Sequence, residues 1–390
     1  MGIAARRALK QVLVAGAGPV GLTGALVLAR AGIPVTVLER SADLAQDLRA
    51  STWHPPTLDM MAGLGLADEM LRDGLIARYT QYRDRKSGAV AQFDLELLRG
   101  ETEHPFRLQY EQYKYTRLVL ERLAAFPHAR VLFGSSVTAV NQESDFVEVT
   151  AGDEKFRGTY LIGADGARST VRQALGIDFE GLTFPVRFYS VSTSFDFGAH
   201  IERLCYVSYI ADTDEWCVLL RVRDLWRVLF PTREDEPDAE VLSDAATERR
   251  LQGLCANDSS YETPHRTLYN VHQRVAQRYR AGRVFLAGDA AHLNNPIGGM
   301  GMNGGLHDVL NLAEKMINGK ELDEYEAQRR PIAIDYINAN TARNRRLLQE
   351  RDPQARRRSQ EEMCRIAADR AAAKSFLMRS SMIETLRRSA

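Results

Sequence analysis

The sequence contains little cysteine and no excess of either sign of charge. Its four cysteines among 390 residues, Cys205, Cys217, Cys255 and Cys364, form no C-x-x-C pair and stand beside no histidine pair at metal-ligand spacing. We therefore expect no metal site and no disulfide framework, and a reducing, cytoplasmic location is the default. Basic and acidic residues number 51 each. This balance gives no electrostatic reason to expect nucleic acid or an anionic membrane as a partner.

A long hydrophobic run without helix breakers is also absent. Residues 11–29 carry no charge and follow Arg6, Arg7 and Lys10, which imitates a secretory signal or a membrane span. Glycines at positions 16, 18, 21 and 24 interrupt this stretch, and glycine has poor helix propensity. The same glycines suit a strand, a turn and a helix, so a membrane partner is not expected. The composition, 45% hydrophobic and 26% charged, is that of a globular chain, and its length predicts two or three packed units.

The first glycine-rich segment has the pattern of a dinucleotide-binding turn. A buried strand is predicted at 12–15, a G-x-G-x-x-G turn follows, and a helical pattern and a second strand lead to Glu39. Gly16 permits a tight turn, Gly18 lets the backbone approach a pyrophosphate, and Gly21 lets the helix pack on the sheet. Glu39 can accept hydrogen bonds from a ribose, which favours FAD or NAD over NADP. A plain strand–turn–helix without a ligand is the alternative. The cofactor-binding residues predicted here are Gly16, Gly18, Pro19, Val20, Gly21, Glu39 and Arg40.

Two further apolar strands end in glycine-centred turns. Residues 160–172 have the pattern of a strand, a turn around Asp165 and a helix, and residues 283–292 that of a strand ending at Gly288-Asp289. A glycine-rich loop at 296–305 precedes a helix with apolar residues at 306, 309, 310, 313 and 316, a 3.6-residue period. Backbone N–H groups at such a helix start can bind anionic groups. Taken singly, each turn is also compatible with an ordinary capped turn.

The order of these three turns, and the string G-D-A-A-H-L-N-N-P-I-G-G-M-G-M-N-G-G-L-H-D at 288–308, give the sequence a family resemblance. It resembles the class A flavoprotein monooxygenases, of which p-hydroxybenzoate hydroxylase is the prototype, over residues 11 to about 340. Nitrophenol and phenol hydroxylases of this class are most similar in overall layout. The resemblance implies an α/β fold: a Rossmann-like FAD-binding domain, an inserted antiparallel-sheet substrate domain and a C-terminal helical segment.

The predicted domains are discontinuous along the chain. The FAD-binding domain is expected to comprise residues 1–75, 98–180 and 271–340, and the substrate domain residues 76–97 and 181–270. Within the latter, strands are predicted at 189–197, 203–210, 215–222 and 225–231, with two more in 77–97. Residues 341–390 are expected to form a salt-bridged, solvated helix pair, because arginines there alternate with acids.

On the adenosine side of FAD, the resemblance assigns four residues. The acid matching Glu39 holds the ribose in the family, and the residue matching Arg49 lies by the ribose and pyrophosphate. Gln112 matches a glutamine beside the ribityl–phosphate region, and Asp165 belongs to a turn implicated in FAD and pyridine-nucleotide contact. A solvated charge, an exposed polar residue and a turn cap are the respective alternatives for Arg49, Gln112 and Asp165.

On the flavin side, the resemblance implies that Asp289 matches the aspartate that bonds the ribityl chain and that Pro296 lines the flavin ring. The N–H groups around Met302 and Asn303 face the pyrimidine edge in the family. Gly301 is expected to be glycine because the ring approaches closely and because the backbone there adopts a positive φ.

A small aromatic substrate requires aromatic surface and a few directed polar groups. The candidates for substrate contact are Tyr79, Tyr82, Tyr206, Trp216 and Arg221. The candidates for a catalytic role are Pro296, His54 and Tyr209, and a core or surface role competes for each aromatic candidate. His292 is interpreted as a packed structural histidine.

The implied activity is hydroxylation of a small phenolic or N-heteroaromatic compound with FAD, O2 and NADPH or NADH, through a C4a-hydroperoxyflavin. A homodimer is the oligomer compatible with this reading. An NAD dehydrogenase leaves the third turn unexplained. Flavin halogenases carry a W-x-W-x-I-P motif that is absent, since Trp216 and Trp226 stand apart. Another FAD-dependent oxidoreductase of this fold, such as an epoxidase or reductase, and a non-catalytic flavoprotein sensor stay open.

Overall fold

The computed structural model describes residues 11–46, 48, 50–319 and 322–389. Its strands in chain order are β1 (Val12–Ala15), β2 (Val35–Leu38), β3 (Thr52–Trp53), β4 (Leu75–Ala77), β5 (Tyr79–Asp84), β6 (Gly88–Asp94), β7 (Arg107–Gln109), β8 (Ala129–Leu132), β9 (Val137–Gln142), β10 (Val147–Ala151), β11 (Glu154–Gly158), β12 (Tyr160–Gly163), β13 (Phe179–Thr193), β14 (Val207–Ala211), β15 (Cys217–Arg221), β16 (Trp226–Arg233), β17 (His265–Ala276), β18 (Arg280–Ala281), β19 (Val284–Leu286) and β20 (His292–Leu293).

The α-helices are α1 (Pro19–Arg30), α2 (Pro55–Gly63), α3 (Ala67–Asp73), α4 (Gln112–Leu123), α5 (Thr170–Ala174), α6 (Phe197–His200), α7 (Asp238–Val241), α8 (Asp244–Leu254), α9 (Gly301–Asn318), α10 (Glu324–Pro331), α11 (Asn338–Gln349), α12 (Pro353–Ala368), α13 (Arg370–Ser380) and α14 (Ile383–Ser389). Short 3₁₀ turns occupy Leu95–Leu98 and Gly288–Ala290, and a π-helical stretch, Ile332–Ile337, joins α10 to α11. None of the helices in the described residues combines the length and apolar character needed to cross a bilayer.

A six-stranded sheet forms the Rossmann-like unit, in the order β18-β19-β12-β1-β2-β8. Neighbouring strands from β19 to β8 are parallel, and all four residues of β1 are fully buried, as expected for a strand covered on both faces. The uncharged stretch at 11–29 therefore forms β1, a turn and α1, which confirms the strand–turn–helix prediction. Helix α1 begins at Pro19, because proline is well accommodated in the first helical turn.

Helices α1 and α9 pack closely against each other on this sheet. A Cβ at Gly24 would lie 2.5 Å from Cγ2 of Val309, so only glycine allows this approach. The two helices are those that follow the first and third glycine-rich turns. Their contact brings these turns into proximity.

An eight-stranded sheet follows the order β20-β17-β13-β16-β15-β14-β5-β6. Strands β5 and β6 come from residues 79–94, so the segment expected to extend this sheet does so; the domain boundaries themselves stay a prediction. Two details of the sequence prediction are wrong. Strand β13 begins at Phe179 and ends at Thr193, and helix α6 occupies part of the strand predicted at 189–197. Strands β14 and β5 pair in parallel, so the sheet is not wholly antiparallel.

The two faces of this sheet are covered by different elements. We call the face that carries Tyr82, Tyr209 and Trp216 the inner face, and the one that carries Tyr189 and Trp226 the outer face. Side chains of α12 and α13 pack on the inner face, and side chains of α7 and α8 on the outer face.

The C-terminal segment is helical, as expected, but it is not a solvated helix pair. It comprises α11 to α14, and Met363, Phe376 and Leu377 are buried against the inner face. Arginine-rich surroundings hid this apolar stripe in the sequence. The segment therefore packs on the sheet that the sequence predicts as the core of the substrate domain.

Candidate functional site

The three glycine-centred turns meet at the carboxyl ends of the parallel strands. A Cβ at Gly16 would lie 2.5 Å from the carbonyl oxygen of Ala164, and Gly16 has a φ of 100°. A Cβ at Gly288 would lie 2.8 Å from Val20. The turns after β1, β12 and β19 thus form one site from segments far apart in the sequence. Ligands of open α/β sheets bind at this edge.

The first turn has the shape that a pyrophosphate requires. A Cβ at Gly21 would lie 2.0 Å from the carbonyl oxygen of Gly16, so Gly21 allows α1 to start tightly against the turn. A Cβ at Gly18 would meet no atom within 4 Å, which leaves open space beside the helix start. Pro19 begins α1, and Val20 is buried. The geometry leaves room for a ligand here, and contact of these residues with a pyrophosphate stays a prediction.

Glu39 stands at the end of β2 beside the same turn. Its Oε2 accepts a hydrogen bond from the N–H of Ala17 at 2.8 Å, and its Oε1 accepts one from the N–H of Ser41 at 2.9 Å. The carboxylate is half-buried, so it keeps solvent-facing lone pairs for ribose hydroxyls. Arg40 is exposed after it, and Arg49 lies outside the described residues.

Gln112 and Asp165 occupy different positions around the turns. Gln112 is the first residue of α4, is half-buried, and donates its backbone N–H to the carbonyl of Ala50 at 2.9 Å. Asp165 accepts a hydrogen bond from Ser169 Oγ at 2.5 Å and one from the N–H of Val171 at 3.1 Å. Burial raises the pKa of Asp165. Its carboxylate therefore caps the turn into α5, and direct contact with a cofactor stays a prediction.

Asp289 is exposed in a turn whose neighbours Gly288 and Ala290 are buried. This turn closes β19, and a φ of 61° at Gly288 sets its direction. An exposed carboxylate at the strand end, next to the open side of the first turn, suits a cofactor hydroxyl. Contact of Asp289 with a cofactor stays a prediction.

A buried polar network holds the turn that contains Asp289, through a hydrogen bond to the neighbouring Gly288. Asp308 in α9 accepts hydrogen bonds from His292 Nε2 at 2.8 Å, Arg329 Nε at 2.7 Å and the N–H of Gly288 at 3.4 Å. Burial opposes the ionisation of Asp308, but Arg329 and His292 outweigh it and lower its pKa to about 2. His292 is therefore tied into the fold, in agreement with its interpretation as a structural histidine.

The loop before α9 contains two glycines with a positive φ. The N–H of Gly299 bonds to the carbonyl of Pro296 at 3.0 Å, and Gly298 and Gly299 have φ angles of 112° and 68°. Gly301 begins α9 and has no positive φ, so the prediction of a positive φ at this residue is wrong. The positive φ angles of the loop belong to Gly298 and Gly299. A Cβ at Gly301 would meet no atom within 4 Å, which agrees with room for a ring.

The start of α9 offers backbone donors beside this open space. No side chain caps the helix, and the first-turn N–H groups of Met302 and Asn303 have no partner within the helix. Such groups stabilise negative charge on a ligand. Asn303 also fixes the loop, because its Nδ2 donates to the carbonyls of Thr52 and Gly299 at 2.9 and 2.7 Å.

His54 lies directly against this loop. Its Nε2 is 3.0 Å from the carbonyl oxygen of Gly298, and its backbone N–H donates to Asn303 Oδ1 at 3.0 Å. Nε2 must carry the proton, since a carbonyl only accepts. Nδ1 is then a buried acceptor with no hydrogen-bond partner in the described residues. Burial, and next the charge of Arg107, lower the pKa of His54 well below its ordinary value.

Two tyrosines stack on the inner face, opposite the C-terminal helices. The rings of Tyr82 and Tyr209 are 5.1 Å apart with an interplanar angle of 17°. The hydroxyl of Tyr82 donates to Asn344 Oδ1 at 3.3 Å, and a Cβ at Gly298 would lie 3.3 Å from Nδ2 of Asn344. Asn344 in α11 thus connects the tyrosine pair to the loop before α9. Trp216 shares the inner face and packs edge-on against Phe188 at 5.4 Å.

Three substrate candidates are not brought to this site. Strand alternation places Tyr79 on the face opposite to Tyr82. Tyr206 is 41% exposed, and both its ring and the Arg221 guanidinium lie near Trp226 on the outer face, at 6.4 and 5.6 Å. Alternation along a strand shows which residues share a face of the sheet. It does not show which face is the inner one, because that depends on how the strands pair and pack.

Sequence reasoning missed a polar surface formed by Thr52, His54, Arg107 and Gln109, which we call the polar strip. Strands β3 and β7 pair with Thr52 opposite Gln109 and Trp53 opposite Leu108. If this register is continued by one residue, His54 lies opposite Arg107. Arg107 and Gln109 are 3% and 0% exposed. A Cβ at Gly299 would lie 3.1 Å from Thr52, so the strip adjoins the loop before α9. No spacing or motif marks a three-residue strand as functional.

The arrangement fits FAD on three observations of the site itself. Space is open beside Gly18 and Gly301, Asp289 is exposed within a buried turn, and uncapped N–H groups begin α9. Glu39, Gln112 and Asp289 would hold the ribose and ribityl parts, and the start of α9 would hold the pyrimidine edge.

Comparison with known proteins agrees with this geometry. Residues 10–340 match the family described as "FAD binding domain". The chain is 33% identical over 384 residues, 95% of each protein, to para-nitrophenol 4-monooxygenase of Pseudomonas sp. strain WBC-3. It is 33% identical over 360 residues, 88% of this chain and 90% of the relative, to 6-hydroxy-3-succinoylpyridine 3-monooxygenase HspB of Pseudomonas putida strain S16.

A solved structure extends the comparison to the fold. The crystal structure of p-nitrophenol 4-monooxygenase PnpA from Pseudomonas putida DLL-E4 has a TM-score of 0.89 at 30% identity, over 95% of this chain and 97% of that one. The protein belongs to the FAD-binding family of flavin-dependent aromatic monooxygenases.

Proposed function

We propose that this enzyme uses NADH or NADPH and O2 to hydroxylate a small phenolic or N-heteroaromatic compound. The observation that carries the proposal is the set of contacts around Gly298 in the loop before α9. Its carbonyl bonds to His54, and it lies beside Asn344, which bonds to Tyr82 of the tyrosine pair. An aromatic ring between the tyrosines and this loop would lie next to the flavin. The names of the relatives, which act on a nitrophenol and a hydroxypyridine, support the same substrate class.

Bound FAD would supply the redox chemistry of the reaction, with NAD(P)H as the reductant and O2 as the source of the transferred oxygen atom. The chain's own part is to bind and orient. Asp289 would hold the ribityl hydroxyls, and the N–H groups at the start of α9 would stabilise negative charge on the reduced ring. Pro296 begins the turn that would place the loop beside the ring.

His54 Nδ1 is suited to accept a hydrogen bond from the hydroxyl of a phenol. Its Nε2–H is held by Gly298, so Nδ1 remains the acceptor. Because its pKa lies well below the ordinary value, the imidazole is neutral at pH 7. A hydrogen bond from the phenol to Nδ1 would increase electron density on the ring that is attacked.

Exclusion of water falls to the C-terminal helices. Phe376 of α13 stacks on Phe93 at 4.3 Å and lies edge-on to Tyr82 at 6.1 Å. This apolar cover over the tyrosine pair would limit solvent access during oxygen transfer.

The test is a turnover assay on purified protein. A flavin absorption spectrum is expected, together with NADH or NADPH oxidation that 4-nitrophenol or a hydroxypyridine stimulates and that yields a hydroxylated product. Flavin reduction without an aromatic requirement would favour a reductase, and oxygen insertion only into an isolated double bond would favour an epoxidase. A bound flavin that NAD(P)H and aromatics leave unchanged would favour a sensor.

The cellular location and oligomeric state are part of the same proposal. We expect a cytoplasmic homodimer. Fractionation of the source cells and light scattering of the purified protein test these two points.

A further inference from the structure

We propose that Arg107 selects substrates that carry an ionised oxygen and binds that oxygen at the polar strip, of which it is part. This inference rests on the proposed function, because it assigns a substrate class to the same site. The substrate would be an aromatic oxyanion, with a phenolate as the simplest case.

The first argument is the incomplete bonding of a buried charge. Arg107 is 3% exposed, and its single hydrogen bond in the described residues runs from Nη2 to the carbonyl of Ser380 at 3.3 Å. Nε and Nη1 are buried without a partner there, and no described carboxylate lies within 4 Å of the guanidinium. A buried cation without a counter-charge is costly, so an anionic ligand would stabilise it.

The second argument is the composition of the polar strip around it. Gln109 is fully buried, and its Nε2 also has no hydrogen-bond partner in the described residues. Its Oε1 already accepts from Thr52 Oγ1 at 3.1 Å, which orients the amide donors away from Thr52. Arg107 and Gln109 together offer unused donors, whereas His54 offers one unused acceptor. Such a donor-rich surface is complementary to an oxygen anion.

The third argument is position. Arg107 pairs with Ala77 of β4, directly before the strand that carries Tyr82. The β3–β7 register, continued by one residue, sets Arg107 opposite His54, which bonds to Gly298 of the loop before α9. Arg107 Nη2 donates to the carbonyl of Ser380 in α13, the helix whose Phe376 lies edge-on to Tyr82. Arg107 therefore has neighbours both beside the loop and in the helix that covers the tyrosine pair, next to the position proposed for the substrate ring.

The experiment measures ligand binding to the oxidised holoenzyme, without NAD(P)H, by the change in flavin absorbance. The probes are 4-nitrophenolate, at a pH where its hydroxyl is ionised, and its uncharged methyl ether, 4-nitroanisole. The wild type is expected to bind the phenolate about tenfold or more tightly than the ether. Arg107→Met, and Arg107→Gln as a second variant, are expected to abolish this preference while the affinity for the ether is kept.

The matched control is Arg83→Met. Arg83 is 7% exposed and donates to Gln81 Oε1 at 2.9 Å on the outer face, with no carboxylate within 4 Å in the described residues. This variant is expected to keep the wild-type preference. Equal binding of phenolate and ether by the wild type would overturn the proposal without any variant.

The remaining outcomes distinguish a failure of this proposal from a failure of the proposed function, aromatic hydroxylation. An unchanged phenolate preference in both Arg107 variants overturns it, as does a loss confined to FAD affinity, which would assign Arg107 to the cofactor. Turnover of uncharged aromatics alone would keep the proposed function and overturn the oxyanion class. Absence of any aromatic-stimulated NAD(P)H oxidation would overturn the proposed function, while the binding titration would still decide the role of Arg107.

Discussion

At the scale of single residues, Asp289 is expected to contribute strongly to FAD affinity. It is exposed at the carboxyl end of β19 within a buried turn. A hydrogen bond to a charged group contributes about 1.5–3 kcal/mol, so Asp289→Ala should weaken FAD binding by about 10- to 150-fold. Fluorescence titration of the apo-protein with FAD measures this. Asp258→Ala, in an exposed loop, is the control, and an Asp289→Ala protein with native FAD affinity would remove Asp289 from the site.

Gly301 gives a second residue-scale prediction. Its backbone is helical, so Gly301→Val should leave the apo-protein as stable as the wild type or slightly more so, since valine is a better helix former than glycine. The added methyl groups would occupy the open space beside α9, and overpacking of about 1–3 kcal/mol should weaken FAD binding by about 5- to 150-fold. Urea unfolding and FAD titration separate the two effects.

Gly63→Val is the control for the Gly301 variant. Gly63 ends α2, has no positive φ, and has no atom within 4 Å of a Cβ. Both valine variants should unfold alike, and only Gly301→Val should lose FAD. Equal FAD affinity in the two variants would mean that the flavin does not approach Gly301.

The residues illustrate what a sequence can and cannot predict. The spacing of Gly16, Gly18 and Gly21 located their turn because each glycine answers a local steric demand. The pattern G-G-M-G did not show which glycine turns the chain, and the positive φ belongs to Gly298 and Gly299. Arg107 carries no local signal, because its surroundings come from β3, β4 and α13.

At the scale of elements, α9 is anchored to the turn after β19 by Asp308. Asp308→Asn removes the carboxylate charge that pairs with the buried Arg329 and accepts a hydrogen bond from His292, and breaking a buried ion pair costs about 3–5 kcal/mol. We expect a loss of that size in the free energy of unfolding by urea near pH 7. Glu314→Gln, on the exposed side of the same helix, should change it little.

The pH dependence of the Asp308 variant follows from the lowered pKa. The carboxylate titrates at about 2 in the folded protein and near 3.8 when unfolded, so its stabilisation is complete above pH 4 and is lost as the pH falls toward 2. The stability difference between wild type and Asp308→Asn should be constant from pH 5 to 7 and should decrease below pH 4. A difference that stays constant down to pH 2 would contradict this assignment.

Sequence patterns predict several of these elements, but not the elements against which they pack. Strands β1, β2, β12 and β19 and helix α1 follow apolar runs, and the sequence predicts them, whereas it does not predict the fifth parallel strand, β8. The C-terminal helices were predicted as helical, but their partner was not, because the buried Met363, Phe376 and Leu377 are scattered among arginines. Which face of the eight-stranded sheet they cover depends on tertiary packing alone.

At the scale of the whole molecule, the site depends on the C-terminal segment being docked. Arg356 of α12 donates through Nε and Nη2 to Asp84 of β5, and through Nη2 to the carbonyl of Ala211 at 3.1 Å. Both side chains are largely buried, and the pKa of Asp84 is about 2 because Arg356 and backbone N–H groups outweigh the effect of burial. This pair joins the helices that cover the tyrosines to the sheet that carries them.

Arg356→Met should therefore loosen the cover and admit water to the site. We expect the share of NAD(P)H-derived electrons that forms H2O2 to rise about two- to fivefold, the shift that roughly 0.4–1 kcal/mol produces in a docking equilibrium. Assays of peroxide and hydroxylated product, run side by side with NAD(P)H oxidation, measure the ratio. Arg357→Met is the matched control, because Arg357 is 82% exposed and pairs only along the helix with Glu361 among the described residues. If both variants produce peroxide as the wild type does, docking of the C-terminal helices does not protect the reaction, and water must be excluded by the loop before α9 and the inner face of the sheet.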